Sequence, residues 1–549
     1  MQPTYWIIIG VSVIAIVATF WQSIRHKKKV YQFIRERYGQ PAQKNYTDKL
    51  ESIQEYWKKC AQHLPKYKAV DEITWNDLEL DLVFDHLNTT YSSVGSEVLY
   101  ARLHRLDGAV PDELIVDLKA DTSLREDVAY FLHGIAKADY NHVSDFLFDP
   151  ASQKTAGFYT WQGFVPIVGL ILLPFYYPAG IVAITLGLLW NIYTQSRLRL
   201  RIEHGISAIS YLSRVIFFGR KLAGRLQPSQ PEFANELKSV IEPLKGIPSQ
   251  LPVQVDGSHP LAFLVQYLNY TILLDFMMYN RALKLLIKQP QALQQIWEKI
   301  GDLEIALLIA SLEERQPTAK PVFHDTYSIE ADDIVHPLII DPIPNPVDFS
   351  HSTLVSGSNA SGKSTYVKAI AISGITSQCL GRAFAKSFAM KRGQIITSMA
   401  IRDDIHEGDS YFVAEIKSLK RMIDATQSGR TIYLFIDEIL KGTNTVERIA
   451  ASHAMLKFFH AHGVPVIAAT HDIELTELQA PYMRNIHFRE EVHENEITFD
   501  YQIKQGPTQT TNAINLLKYY DFPERLTDQA EKMADQFKQT RQWSEISDS

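Results

Sequence analysis

Leu354-Val355-Ser356-Gly357-Ser358-Asn359-Ala360-Ser361-Gly362-Lys363-Ser364-Thr365 is the stretch on which the reading of this chain turns. Two glycines bracket four residues and lead into Lys-Ser, the spacing G-x-x-x-x-G-K-S of a phosphate-binding loop, with a helical run from Tyr366 to Ile375 behind it. Glycines let the main chain curl until consecutive N–H groups and a helix N-terminus face one anion. The nucleotide-binding candidates are therefore Gly357, Ser358, Asn359, Ala360, Ser361, Gly362, Lys363, Ser364 and Thr365. Lys363 is expected to reach the β- and γ-phosphates of ATP, and the Ser364 hydroxyl to complete the shell of a magnesium ion.

Such a loop needs an apolar strand before it and acidic partners on a neighbouring strand. Thr431-Ile432-Tyr433-Leu434-Phe435-Ile436 is a short β-rich run that ends in Asp437-Glu438, a Walker B strand in composition and placement. Asp437 would hold Mg2+ through water, and Glu438 would polarise the attacking water as general base. A third strand, Val464 to Ala469, ends in Thr470-His471 and puts an imidazole where it can sense a γ-phosphate. Lys363, Glu438 and His471 are the catalytic candidates, and Ser364 and Asp437 the metal ligands.

Outward from these motifs, 549 residues suggest roughly three or four domains, and 46% hydrophobic content is ample for packed cores. Two cysteines, Cys60 and Cys379, provide no disulfide framework. A net charge of −7 gives no global attraction to nucleic acid, so such a contact would need local basic groups such as Lys386, Lys391, Arg392 and Arg402.

Residues 1 to 24 carry no charge, and Tyr5 to Trp21 is apolar with aromatic residues at both edges; Arg25, Lys27, Lys28 and Lys29 follow. Positive charge after the run and not before it favours an anchor over a cleaved leader, with the C-terminal side in the cytoplasm. Thr155 to Ser196 is a second uncharged tract. Its apolar halves, Phe158 to Leu173 and Ala179 to Tyr193, are parted by Pro174-Phe175-Tyr176-Tyr177-Pro178 and are expected to form a transmembrane hairpin, with a re-entrant hairpin as the other reading. Arg197, Arg199 and Arg201 return the chain to the cytoplasmic side.

The remainder reads as helix. Asp71 to Phe84 places Leu78, Leu82 and Val83-Phe84 at helical spacing after Thr74 as cap candidate, and Ser96 to Leu106 repeats the stripe, both expected in a helix-bundle core. Leu261 to Leu286 is very apolar, but Asp275 and Arg281 interrupt it, which favours a buried bundle helix over another span.

His336-Pro337, Pro344-Asn345, Gly357 to Thr365, Gly408-Asp409-Ser410-Tyr411-Phe412-Val413-Ala414-Glu415, Asp437-Glu438-Ile439-Leu440-Lys441-Gly442-Thr443-Asn444-Thr445 and Ala469-Thr470-His471 occur in this order. Together they resemble the ATPase domain of the MutS family over about 320 to 540. Gln505-Gly506-Pro507-Thr508 to Asn512-Ala513 resembles that family's C-terminal signature, and residues 71 to 135 and the helices after the hairpin resemble its core and lever helices. The resemblance implies an ABC-type ATPase that dimerises head to tail. Ser410, Gly442, Thr443 and Thr445 match the family's trans-acting signature, which completes the nucleotide site of the partner. Where MutS repair proteins carry a mismatch-recognition domain, this chain has an apolar segment and a short charged stretch, and no long clamp insertion is evident.

The sequence thus leads to an α/β ABC-type P-loop ATPase domain at the C-terminus, preceded by an all-α lever and core region with transmembrane helices. The expected divisions are an anchor at 1–29, a cytoplasmic helical region at 30–154, a membrane hairpin at 155–196, a second helical region at 197–313 and the ATPase domain at 314–549. The expected function is a multi-pass cell-membrane protein whose cytoplasmic ATPase works as a homodimer with ATP and Mg2+. It would couple ATP to conformational change and to DNA binding of the mismatch-repair-family type without the mismatch-reading domain, with no small-molecule substrate beyond ATP. An ABC transporter is the first alternative, but Ile416 to Arg430 holds no Leu-Ser-Gly-Gly-Gln signature. A nucleotide-switched membrane scaffold without DNA binding is the second.

Overall fold

The computed structural model describes the chain except for residues 1–2, 44–46, 109, 154, 156–160, 248–270, 359–360, 400–410, 494–495, 509–512, 541–542 and 544–549, and gives backbone alone at 3–16, 19, 198–199, 201, 411, 490–493, 496–498, 513, 515–516 and 538. Its residues gather into two compact units that interleave in sequence. The first comprises Met1–Leu64, Leu87–Arg102 and Val110–Arg315; the second comprises Pro65–His86, Leu103–Ala109 and Gln316–Ser549.

The first unit is helical throughout its described residues. Its axis is the 26-residue helix Pro290–Arg315, which starts on a proline, where the missing N–H costs nothing, and is buried on every face from Leu303 to Leu312. Burial on all sides forces its polar groups to find partners: the Glu304 carboxylate accepts the Tyr91 and Ser92 N–H groups, each at 2.9 Å. The helix Pro3–Arg37 runs unbroken for 35 residues through the basic cluster. Its last turns dock through buried Val30 and Ile34, and Arg35 and Tyr31 bind Glu126 and Asp127, each at 2.7 Å. The expected bundle helix is broken at Leu273, whose φ is +52°, and its continuation Leu274–Lys288 buries Phe276, Tyr279, Ala282, Leu283 and Leu286.

One helix of 50 residues, Tyr177–Leu226, joins the second arm of the apolar tract to the helices beyond it without a break at the arginines. Its C-terminal part is core: Ile209, Leu212, Val215 and Leu226 are buried. Its N-terminal part pairs with the short helix Val165–Leu172, and three glycines allow the approach. A Cβ on Gly169 would come within 2.7 Å of the Ile184 nitrogen, one on Gly180 within 2.9 Å of the Leu173 nitrogen, and one on Gly187 within 2.9 Å of Pro166. Outside this seam the hairpin presents Leu170, Ile171, Val182, Leu186, Leu189 and Trp190 outward. Among the described residues, Tyr177–Arg197 is the one helical segment long and apolar enough to cross a membrane, and Gln162–Leu172 is a shorter apolar helix.

The second unit is α/β. Its strands are β1 (Val322–Phe323), β2 (Ile329–Ile334), β3 (Asn345–Asp348), β4 (Thr353–Ser356), β5 (Ser387–Met390) and β6 (Gln394–Ser398), followed by β7 (Ile432–Asp437), β8 (Val466–Thr470), β9 (Arg484–His487), β10 (Glu490–His493), β11 (Glu496–Phe499) and β12 (Lys504–Gln505). The main sheet has the order β12-β9-β4-β8-β7-β6, parallel except for the edge strand β12. Helices cover a parallel sheet on both faces, so β4, β7 and β8 are continuous apolar runs buried along almost their whole length. The smaller sheet has the order β1-β5-β2-β3, and β10 pairs with β11.

Two expectations for Asp71 to Phe84 are corrected. The cap is Asp71, whose carboxylate accepts the Thr74 N–H at 2.9 Å, while Thr74 sits inside the first turn. The run also splits into Glu72–Asp77 and Leu80–Leu87 at Glu79, whose φ is +52°, which leaves Leu82 exposed. These residues serve the α/β unit, not a helical bundle: Asp77 accepts the Thr397 hydroxyl at 2.7 Å and the Met399 N–H at 3.0 Å at the end of β6.

Candidate functional site

The C-terminal ends of parallel strands leave unpaired N–H groups and helix N-termini around one crevice, which is where open α/β sheets hold ligands. Here the ends of three strands are in register: Ser356 of β4 is opposite Thr470 of β8, and Asp437 of β7 is opposite Ala469. Two strand spacings, roughly 10 Å, therefore separate the loop after β4 from the acidic pair after β7.

The loop after β4 requires its glycines. Gly357 and Gly362 have φ of +134° and +99°, and a Cβ at Gly357 would strike the Phe488 carbonyl oxygen. Ser361 Oγ donates to the Ser358 carbonyl at 2.7 Å. Lys363 opens the 18-residue helix Lys363–Leu380 and is 1% exposed; its ammonium donates to the Gly357 and Ser358 carbonyls, both at 2.6 Å. The lysine thus curls the loop around itself at the positive end of a helix dipole. Asn359 and Ala360 lie outside the described residues, as do Ser410 and Arg402.

After β7 the chain turns sharply, with Glu438 and Leu440 at φ of +62° and +56°. Glu438 is fixed from two sides, by His471 Nε2 at 2.8 Å and Lys441 Nζ at 3.1 Å. Burial, the largest influence, opposes its charge, but His471 and Lys441 together outweigh it and hold the carboxyl below the ordinary carboxylate value. Asp437 has a buried Oδ1 with no hydrogen-bond partner. Such an oxygen fits a hydrated cation, and Asp437 and Ser364 supply the hard oxygen donors that Mg2+ prefers.

The loop Gly442, Thr443, Asn444 is exposed or half-exposed and leads into the helix Thr445–Ala461, where Thr445 is the first residue. Thr443 Oγ1 donates to Glu447 at 3.2 Å, and the cap is Asn444, which accepts the Glu447 N–H at 3.0 Å. Glu415, on the helix Tyr411–Thr426, holds the loop from behind by accepting the Lys441 N–H at 3.1 Å. Burial pushes its carboxyl up, and main-chain N–H groups from Leu440 to Gly442 partly offset this.

A cavity of about 640 Å³ adjoins Gly362, Ser364 and Thr365 and is walled by His336, Ile339, Ile340, Ile343, Asn345 and Tyr501. Asn345 pins the far wall by donating to the Tyr501 carbonyl at 2.9 Å and accepting the Ile503 N–H at 2.9 Å. Burial, aided by the Lys368 charge, pushes the His336 imidazole down to about 4, so it is neutral at physiological pH. A smaller cavity of about 150 Å³ lies beside Glu438, Lys441, Arg448, His471 and Asp472.

The sequence anticipated Lys363, Asp437, Glu438 and His471, which the sheet places along one edge. It assigned no separate role to Glu415 and Asn444, which stand within the quoted motifs, and did not single out Tyr501 or the Arg448–Asp472 pair. Of these, only Asn444 had a local signal, an Asn three residues before a Glu at a helix start. Among the basic surface candidates, Lys386 lies 3.9 Å from Asp333, Lys391 lies 6.0 Å from the Tyr327 ring centre and the Arg392 guanidinium stacks 3.8 Å from that of Phe323.

Comparison with known proteins finds similarity over the part of the chain that carries this geometry. Residues 353–538, from β4 to the last helix, match the model of MutS domain V. The chain is 29% identical over 262 residues to the DNA mismatch repair protein MutS of Bacillus velezensis, covering 45% of this chain and 30% of that protein. It is 29% identical over 245 residues to MutS of Bacillus subtilis, covering 42% and 28%, and 27% identical over 264 residues to MutS of Staphylococcus aureus strain Newman, covering 46% and 30%. The alignments thus span less than a third of the length of these curated relatives.

Proposed function

Because the chain belongs to the MutS family through its domain V, we propose that it is a membrane-anchored, MutS-type ATPase that acts as a homodimer on the cytoplasmic face of the cell membrane. The observation that carries this reading is the convergence at one sheet edge of the Lys363 loop, the partnerless oxygen of Asp437 and the Glu438–His471 pair.

In this reading the N–H groups of Gly357 to Lys363 surround the β- and γ-phosphates, and the Lys363 ammonium exchanges its two carbonyl contacts for phosphate oxygens. Ser364 and Asp437 would hold Mg2+, which would supply positive charge to the phosphates. The lowered Glu438 carboxyl is ionised at neutral pH and accepts a proton from the attacking water, while His471 orients it and faces the γ-phosphate. The neutral His336 and the apolar walls beside Ser364 suit a nucleobase and sugar. Exposed Gly442 and Thr445 and half-exposed Thr443, with Ser410 included by its sequence match alone, would complete the site of a second subunit and exclude water from the phosphates.

Energetics supports membrane attachment. Large apolar side chains facing outward on the hairpin cost on the order of 10 kcal/mol in water, which a lipid environment removes. The described short arm, Gln162–Leu172, spans roughly 16 Å, about half a bilayer core, whereas Tyr177–Arg197 spans roughly 31 Å. Tyr5 to Trp21, within the uninterrupted N-terminal helix, supplies a second anchor. The relatives are named for DNA mismatch repair, and DNA is the proposed ligand of the helical arms. The engagement of Lys391 and Arg392 with aromatic rings favours, as second reading, a nucleotide-switched membrane scaffold.

The test is Mg2+-dependent ATPase activity of the detergent-purified full chain. Lys363→Ala should lower it by about 100-fold or more, and equal rates would refute the proposal. A low-salt titration against duplex, branched and mismatched DNA with and without ATP separates the two readings, since phosphate contacts are strongest there; a flat result removes DNA and leaves the scaffold.

A further inference from the structure

Arg448 and Asp472 lie 24 residues apart and meet in a two-pronged contact, Nε to Oδ2 at 3.0 Å and Nη2 to Oδ1 at 2.6 Å. Each stands beside a part of the candidate site. Arg448 is in the first turn of the helix Thr445–Ala461, immediately after the exposed loop, with its N–H on the Asn444 carbonyl at 2.9 Å. Asp472 directly succeeds His471, and both line the cavity of about 150 Å³ with Glu438 and Lys441.

The conduct of Asp472 marks the contact as more than a surface ion pair. It occupies the N-cap position of the short helix Ile473–Gln479, in the extended conformation a cap requires, yet its side chain makes no capping hydrogen bond. Aspartate is among the best caps, so the usual local use of the carboxylate has been given up for a distant guanidinium. The His471 side chain, in contrast, is 39% exposed, and burial alone does not orient its ring. On one side of His471 the chain is held in β8, and on the other Asp472 is clamped by Arg448, with its own N–H donating to Thr470 Oγ1 at 3.0 Å. The imidazole therefore projects from a main chain fixed on both sides.

We infer that Arg448 and Asp472 form a positioning pair that fixes His471 against Glu438 and links that contact to the loop Gly442 to Thr445. The inference rests on the ATPase reading above. Neither residue touches nucleotide in this account, so the pair governs the rate of hydrolysis and not the binding of ATP. Lysine cannot replace the arginine, because only the planar guanidinium grips both carboxylate oxygens at once.

The test compares the unsubstituted full chain with Arg448→Lys, Arg448→Gln, Asp472→Asn, Asp472→Ser and the double variant Arg448→Gln/Asp472→Asn, reading kcat, KM for ATP, affinity for a fluorescent ATP analogue and melting temperature. Each single variant should lose about ten-fold or more in kcat with affinity within about two-fold, and the double variant should fall no further than the worse single one. Asp472→Ser is decisive where folding is in question: serine caps the helix but cannot hold Arg448, so melting temperature should stay while kcat falls. Unchanged kcat in Asp472→Ser and Arg448→Gln, losses that multiply in the double variant, or losses that track a fall in melting temperature would overturn the inference alone. An unsubstituted chain without Lys363-dependent hydrolysis would overturn the parent reading and this one with it.

Discussion

The hairpin around Gly180 and the strand ends around Lys363 depart from ordinary globular packing in opposite directions. At the hairpin the backbone is regular helix, the seam between the arms is tight enough to require glycine, and the unusual feature is apolar surface turned outward. At the strand ends the apolar side chains of β4, β7 and β8 are inside, and the unusual features are backbone at positive φ and a polar atom without a partner. In the proposed reading each region lacks the surroundings that would satisfy it: lipid for the first, a charged ligand for the second. A segment completed by a solvent is built from many interchangeable side chains, whereas one completed by a ligand is built from a few that cannot be exchanged.

That contrast can be broken by substitution. The largest effect should come from Glu438→Gln, which keeps the shape of the site but removes the proposed base; kcat should fall by about 100-fold or more while ATP affinity is retained, read by single-turnover hydrolysis beside equilibrium binding. A smaller fall would mean that water is activated elsewhere. Gly357→Ala should come next, because the new Cβ meets the Phe488 carbonyl at a left-handed φ. A loss of about 1–3 kcal/mol in the stability of the α/β unit is expected, with weakened nucleotide binding, measured by chemical denaturation and titration.

The hairpin should yield less. Gly180→Val should push the two arms apart at Leu173 and reduce disulfide cross-linking of cysteines introduced across the seam, while ATPase activity stays within about two-fold. Leu186→Ala on the outward face should leave cross-linking unchanged, as an interchangeable side chain would.

The smallest effect concerns pH. Burial holds His336 neutral down to about 4 against an ordinary value of 6.5. A depressed histidine contributes stability that is present above its unfolded value and lost as pH falls toward the folded one. Between pH 7 and 5.5 the α/β unit should therefore lose about 1 kcal/mol through this residue. His336→Asn, which can still accept the Leu338 N–H, should flatten that slope in denaturation curves.

Legibility in the sequence tracked the distance over which each feature is determined. The loop from Gly357 to Lys363, the apolar runs of β4, β7 and β8 and the uncharged tract at 155–196 are set by neighbouring residues, and their identities suffice to read them. The split at Glu79 and the assignment of 65–86 to the α/β unit depend on β6, which is hundreds of residues away in the chain. Tyr501 reaches the wall beside Gly362 with its carbonyl held by Asn345, and Asp472 reads locally as a helix cap although Arg448 claims its carboxylate. Nothing in an isolated sequence marks such pairings, because the residue types have satisfactory local explanations.

The central claim concerns a triphosphate at the ends of β4 and β7, and a structure of the Glu438→Gln chain with Mg2+ and ATP tests it most directly. The account predicts the β- and γ-phosphates inside the Gly357–Lys363 loop, Lys363 Nζ moved from the Gly357 and Ser358 carbonyls to phosphate oxygens, and the metal between Ser364 and Asp437. Nucleotide bound elsewhere, or Lys363 still on those carbonyls with ATP present, would contradict it.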